Sequence, residues 1–260
     1  MKNNSISILF YKYKSIFNNL DFDFFINVEG KLYRKKENRE TLSFSLENKI
    51  FFMKRFFKLP VHKFLIYKLL GQSSNYTIAN ELNSYGVLKM IKINTPELVG
   101  FGCRDSYFFN ESFLVSEELN HHEQLDFFIK NHSLLFLKFK KQIIKVLSEI
   151  LVKLHINFVT HSDLYLCHFF IDLNLLKVNK IKLTLIDFHR VKVHKYCNKN
   201  LFIKDISALF FSMLESGFLR NDLAFIENDY IKKTKFIKSN FKYIYKKADK
   251  LFIKYKKKYG

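Results

Sequence analysis

His161-Ser162-Asp163-Leu164-Tyr165-Leu166-Cys167-His168 and, beyond a polar turn, Leu183-Thr184-Leu185-Ile186-Asp187-Phe188-His189-Arg190 are the stretches that decide the fold. Upstream of them Ile143, Leu147, Ile150, Leu151 and Leu154 recur at helical spacing, so Asp163 is expected on the loop that follows a long amphipathic helix. Residues 168–173 and 181–187 read as two short strands of a hairpin, with Asp187 closing the second, apolar strand. Either acid alone would pass for a solvated turn residue. Two carboxylates delivered to one end of a hairpin fit phosphoryl transfer. One orients and receives the proton of an attacking hydroxyl, while the other holds the magnesium that neutralises the phosphates.

Outward from this stretch the chain changes texture near Leu119. Before it, residues 22–28, 32–34, 41–46 and 49–56 read as strands broken by Glu29-Gly30 and Glu47-Asn48. A helix through Ile78, Leu82 and Tyr85 follows, with Gly86 as its expected left-handed cap, and then two more strands at 97–103 and 112–118. After it, a second helical stripe runs through Ile206, Leu209, Phe210 and Met213. The expectation is an α+β fold: a small antiparallel sheet in residues 1–119, and a mainly helical part in residues 120–260 that carries the Asp163 loop. No repeat or low-complexity linker separates the two, so the boundary reads as a hinge within one domain.

Composition narrows the classes. The chain has 260 residues, and 44 Lys+Arg against 24 Asp+Glu give a net charge of +20. With 48% hydrophobic residues the chain can bury a core without disulfides or metal. No apolar run reaches the ~18–20 residues of a spanning helix, and the three cysteines form no C-x-x-C pair, so a reducing, cytoplasmic setting is expected without a disulfide or structural zinc. Residues 235–260 hold ten lysines against the single Asp249. Ile237, Phe241, Ile244, Ala248, Leu251 and Tyr255 recur there at helical spacing. Three uses suit such a basic amphipathic helix: packing on the core with a solvated lysine face, contact with an anionic membrane leaflet, or, as the weakest of the three, nucleic acid.

The wording around the two acids resembles the lipopolysaccharide core heptose(I) kinase family, a branch of the protein kinase-like superfamily. Its usual forms are His-Arg-Asp-x-Tyr-Ile-Cys-His-Phe and Ile-Asp-Leu-His-Arg, against His161-Ser-Asp-Leu-Tyr-Leu-Cys-His168-Phe and Leu185-Ile-Asp-Phe-His-Arg190 here. Lys204-Asp205-Ile-Ser-Ala-Leu-Phe-Phe-Ser212 resembles a third family segment, and weaker echoes carry the likeness over roughly residues 28–230. A His five residues after the catalytic Asp, where protein kinases use Asn, is a mark of the family.

The resemblance implies a two-lobed kinase-like fold and a cytoplasmic ATP-dependent sugar kinase of a Gram-negative bacterium. Its acceptor would be the first heptose of the lipid A-core precursor, at the inner face of the inner membrane. A Kdo kinase of the same family, or a pseudokinase acting as a binding module, is the alternative. It implies Asp163 as the catalytic residue, Asp187 and His168 as Mg²⁺ ligands, Lys54 on the ATP phosphates, and the Glu117-Glu118 backbone on the adenine. Read from residues alone, Lys54 is a half-buried charge that needs an anionic partner, His168 reads as a core histidine and Asp205 as a helix cap, whereas the resemblance implies that Asp205 anchors the catalytic loop. The sequence departs from the pattern in having no Gly-x-Gly-x-x-Gly before Lys54 and Ser162 in place of Arg. Asn75 stands where the family carries the acid that pairs with the strand lysine. Glu81, six residues on, would lie about 240° around a continuous helix, so it is not expected to replace that acid.

Overall fold

Thr41-Leu42-Ser43-Phe44 and Phe51-Phe52-Met53-Lys54 alternate as half-buried strands should, and both are strands in the computed structural model. It describes residues 3–8, 13–17, 19–60, 62–63, 66, 69, 78–106, 109–236 and 238–259. The chain divides into two compact units, Met1–Gly86 with Pro96–Asn120, and Val87–Thr95 with His121–Gly260.

The first unit contains β1 (Asn3–Ile8), α1 (Lys14–Phe17), α2 (Phe22–Asn27), β2 (Lys31–Lys36), β3 (Arg39–Leu46) and β4 (Lys49–Phe56). Most of α3 (Ala79–Met90), with β5 (Leu98–Ser106) and β6 (Phe109–Glu117), completes it. Among the described residues six strands form one antiparallel sheet in the order β1-β5-β6-β4-β3-β2. Leu42, Phe44, Phe51, Met53, Phe113 and Val115 bury one face of it under Phe17, Phe22 and Phe25. The Phe25 ring stacks on Phe113 at 4.3 Å.

Two local expectations are corrected in this unit. Residues 22–28 are not a strand: Asp21 accepts the Phe24 N–H at 2.7 Å as an N-cap, and Phe22, Phe25 and Ile26 bury one face of α2. Aromatic residues suit either element, and the cap decides. Arg55 on β4 then donates to the Ile26 and Val28 carbonyls at 2.8 and 2.9 Å, satisfying acceptors at the end of α2. Gly86 lies inside α3 without a left-handed φ; the helix ends instead on Lys92 (φ 56), with Ile93 N–H bonded to Leu88 C=O and Lys92 N–H to Lys89 C=O. Gly30 has a steric reason of its own, since a Cβ there would lie 2.1 Å from the Ser43 carbonyl oxygen.

The second unit contains β7 (His122–Gln124), α4 (Leu125–Asn131), α5 (Ser133–Ile156), β8 (Val159–Thr160), β9 (Phe169–Asp172) and α6 (Leu173–Lys177). It continues with β10 (Leu183–Leu185), β11 (Lys192–Val193), α7 (Lys199–Glu215), α8 (Arg220–Lys233) and α9 (Ser239–Tyr259). The expected hairpin is present, with Ile171 opposite Leu183 and Phe169 opposite Leu185. Its turn holds the short helix α6, because the Asp172 carboxylate caps the Asn174 and Leu175 N–H groups at 3.0 Å. The expected stripes are core: Ile143, Leu147, Leu151, Leu154, Ile206, Leu209, Phe210 and Met213 are all buried. Phe241, Ile244 and Ala248 of α9 pack on α7, while Lys242, Lys246, Lys247, Lys250 and Lys254 face solvent. Phe241, Ile244 and Ala248 of the expected stripe are therefore core, while Leu251 is part-buried and Tyr255 exposed; Ile237 lies outside the described residues. No helix among the described residues is long and apolar enough to cross a membrane.

Candidate active site

The Asp163 loop is built by a buried acid two turns into α7. Asp205 accepts the His161 and Ser162 N–H groups at 2.7 and 2.8 Å and is fully buried. It is an anchor rather than a cap, since Asn198 caps α7 by accepting the Leu201 N–H. Among the described residues no lysine or arginine is paired with Asp205. His155, 3.5 Å from it, stacks on Phe202 and bonds the Tyr230 hydroxyl, and burial holds its imidazole well below the ordinary histidine range. The two backbone N–H groups therefore carry the stabilisation of the carboxylate. Ser162, held in the left-handed region (φ 69), turns the chain so that Asp163 follows, and the Ser212 hydroxyl accepts the Leu166 N–H at 3.0 Å.

Asp187 reaches the same loop from β10. Its own backbone is left-handed (φ 63), a conformation Asp tolerates better than most residues. The imidazole of His161 bonds the Ile186 carbonyl at 3.1 Å, and Ile186 N–H bonds the His168 carbonyl at 2.9 Å. These bonds lock the loop to the strand end.

His168 ends a 3₁₀ turn, Leu166–His168, rather than opening β9. Its Nδ1 lies 2.7 Å from the Asp163 carbonyl oxygen, which can only accept, so Nδ1 carries the proton. In the neutral ring the lone pair is then on Nε2, which faces Asp187 Oδ2 at 3.8 Å. That distance is too long for a hydrogen bond. The other Asp187 oxygen is held by His189 Nδ1 at 2.7 Å. A nitrogen lone pair and an oriented carboxylate facing each other are a donor set that fits a divalent cation. Among the described residues no group of three or more His, Cys, Asp or Glu is placed to hold a metal. Magnesium in phosphoryl transfer takes one or two protein ligands and completes its shell with phosphates and water, so the pair matches that role. Asp163 is bound to Arg190, whose Nη1 lies 3.0 Å from each carboxylate oxygen.

The residues expected on the nucleotide, Lys54, Glu117 and Glu118, belong to the first unit. Lys54 is paired with Glu81 at 2.6 Å, the two side chains being 19% and 5% exposed. This overturns the expectation that Glu81 cannot serve as the partner. A 240° offset applies only to a helix running unbroken from Asn75, but α3 begins at Ala79 with Ile78 in a bend. Asn75 itself lies outside the described residues. Glu117 ends β6 opposite Phe51; its N–H bonds the Glu97 carbonyl at 2.9 Å and its carboxylate accepts from the Tyr13 hydroxyl. Glu118 follows it, part-buried. The sequence signal that would have found Glu81 is its place in the first turn of a helix that starts late.

Because Glu81 is the deeper charge and a lysine stem can reach toward solvent, Lys54→Met should cost more stability than Glu81→Leu, about 2–3 kcal/mol. The double variant should recover part of the loss. Urea unfolding of the four proteins checks this; strictly additive losses would contradict the pairing.

Residues 23–230 match the family described as lipopolysaccharide kinase (Kdo/WaaP). The lipopolysaccharide core heptose(I) kinase WaaP of Escherichia coli K12 is 25% identical over 201 residues, covering 75% of this chain and 76% of the relative. The protein of the same name from Pseudomonas aeruginosa is 26% identical over 269 residues, covering 95% and 96%. A solved structure described as WaaP in complex with acyl carrier protein superposes with a TM-score of 0.76 at 22% identity, over 95% of this chain and 99% of that one. At that identity the superposition establishes the shared kinase-like fold.

Proposed function

The chain belongs to the lipopolysaccharide kinase (Kdo/WaaP) family, and from that membership we propose that it transfers the terminal phosphate of ATP to a hydroxyl of the first heptose of the lipopolysaccharide inner core. The observation that carries the reading is Asp163 and Asp187 fixed to one loop by Asp205 and His161, with His168 Nε2 turned to Asp187. Asp163 orients the acceptor hydroxyl and receives its proton as the oxygen attacks phosphorus. Asp187 and His168 hold Mg²⁺, which when bound neutralises phosphate charge. His189 keeps the Asp187 carboxylate turned toward that ligand position. Lys54, steadied by Glu81, contacts the nonterminal phosphates, and the backbone at Glu117 and Glu118 holds the adenine.

The acceptor choice is supported by the names of the relatives, and Kdo of the same core is the runner-up. A coupled assay of ADP release, with core oligosaccharide ending in heptose and with one ending in Kdo, tests it. Release with the first alone is expected, and release with the second alone would overturn it. Asp187→Ala is expected to abolish the magnesium-dependent thermal shift given by ATP, while His168→Asn retains part of it. An undiminished shift in Asp187→Ala would remove Asp187 from the metal site. The solvated lysines of α9 support contact with an anionic leaflet at about 1 kcal/mol per nearby charge. Vesicles containing phosphatidylglycerol should bring down the protein at low salt and release it when those lysines are changed to Gln; unchanged sedimentation would exclude the contact.

A further inference from the structure

Arg190 ends the turn Phe188–Arg190 that follows Asp187, yet its partner is the other acid. One nitrogen, Nη1, straddles both oxygens of Asp163 at 3.0 Å. Arginine usually meets a carboxylate with two nitrogens of its fork. Here Nε and Nη2 have no partner among the described residues, and the side chain is 54% exposed. Half of the fork is therefore presented to solvent beside the catalytic acid. Arg190 bonds Asp163, the acid proposed to meet the acceptor, and not Asp187, the acid proposed to hold the metal.

A second observation gives the direction of approach. Tyr165, two residues after Asp163, meets Phe211 edge-on at 6.1 Å, and Phe211 meets Tyr255 at 5.8 Å. The line of rings runs from the catalytic loop across α7 to α9. The part-buried rings of Tyr165 and Phe211 and the exposed ring of Tyr255, beside a charged fork, suit a saccharide that also carries an acid, since its C–H faces pack on rings while its oxyanion takes planar N–H donors.

We propose that Arg190 determines acceptor specificity: with Nη1 it holds Asp163, and with Nε and Nη2 it binds an oxyanion borne by the acceptor, a carboxylate or a phosphate. The acceptor hydroxyl is then brought to Asp163 in register with that acid. This rests on the kinase reading above and adds the recognition of the acceptor to it.

The test uses the full chain and its Arg190→Gln and Arg190→Lys variants. The probes are deacylated core oligosaccharide ending in the first heptose, the same after methyl esterification of its carboxyls, and the same after phosphatase treatment. Turnover gives kcat and KM, and calorimetry gives Kd for each oligosaccharide. Arg190→Gln should raise the acceptor KM and Kd about tenfold and leave the KM for ATP unchanged, with Arg190→Lys in between. On the oligosaccharide lacking the recognised acid the wild-type protein should weaken similarly, and Arg190→Gln should add nothing. Which treatment has this effect identifies the acid. A fall in kcat by the same factor on all three probes, with acceptor KM and Kd unchanged, would overturn the proposal and leave Arg190 as a positioning residue for Asp163. So would a raised KM for ATP. If wild-type protein turned over none of the probes, the kinase reading would fail. The Arg190 assignment would then be decided by calorimetry alone, equal Kd for all probes and variants overturning it.

Discussion

Asp163→Asn is expected to cut turnover by about 10²- to 10⁴-fold and to leave Mg-ATP binding within about twofold of wild type. The amide keeps the size of the carboxylate and one oxygen for Arg190 Nη1, so the loop held by Asp205 and His168 stays in place. In the proposed mechanism what is lost is the lone pair that receives the proton of the attacking hydroxyl. The Asp187 carboxylate and the His168 Nε2 lone pair are untouched, so the proposed metal-dependent nucleotide binding is expected to persist. Single-turnover phosphate transfer beside a thermal-shift titration with Mg-ATP separates the two effects. Equal, small losses in both would mean that Asp163 does no chemistry and that the fold serves binding.

Asp205→Ala is expected to lower the unfolding free energy by about 3–5 kcal/mol, because two buried backbone N–H groups lose a charged acceptor at once. For a chain of this size that corresponds to a fall in Tm of about 10 °C. Asp205→Asn keeps one accepting oxygen and should cost roughly half. Turnover should fall with stability in both, since the left-handed Ser162 and Asp163 behind it depend on those bonds. Differential scanning calorimetry measures the shift; a change under about 2 °C for Asp205→Ala would show that the loop is held elsewhere.

Much of the candidate site's geometry was legible in the sequence because it is local. Asp163, His168 and Asp187 lie on one loop and one strand end, and the hairpin that brings them together is written in the apolar run before Asp187. The strands 41–46 and 49–56 were equally readable, since alternation of buried and exposed residues decides them. Glu81 was not readable, because its pairing depends on where α3 begins, and helix starts are poorly marked without a capping signal. Phe22, Phe25 and Ile26 fit strand propensity and a helical face equally well; only the Asp21 cap distinguishes them. Gly86 looked like a cap because Gly often is one, whereas Lys92 closes the helix in the left-handed conformation. The Arg190–Asp163 and His189–Asp187 bonds follow from the turn after Asp187, which the sequence signals only as two basic residues.

Mass spectrometry of heptosylated core lipid, incubated with the protein and Mg-ATP, tests the assignment most directly. One added phosphate, located by fragmentation on the first heptose and absent with Asp163→Asn, is the expected result. A phosphate on Kdo, or on the protein with none on the lipid, would contradict it.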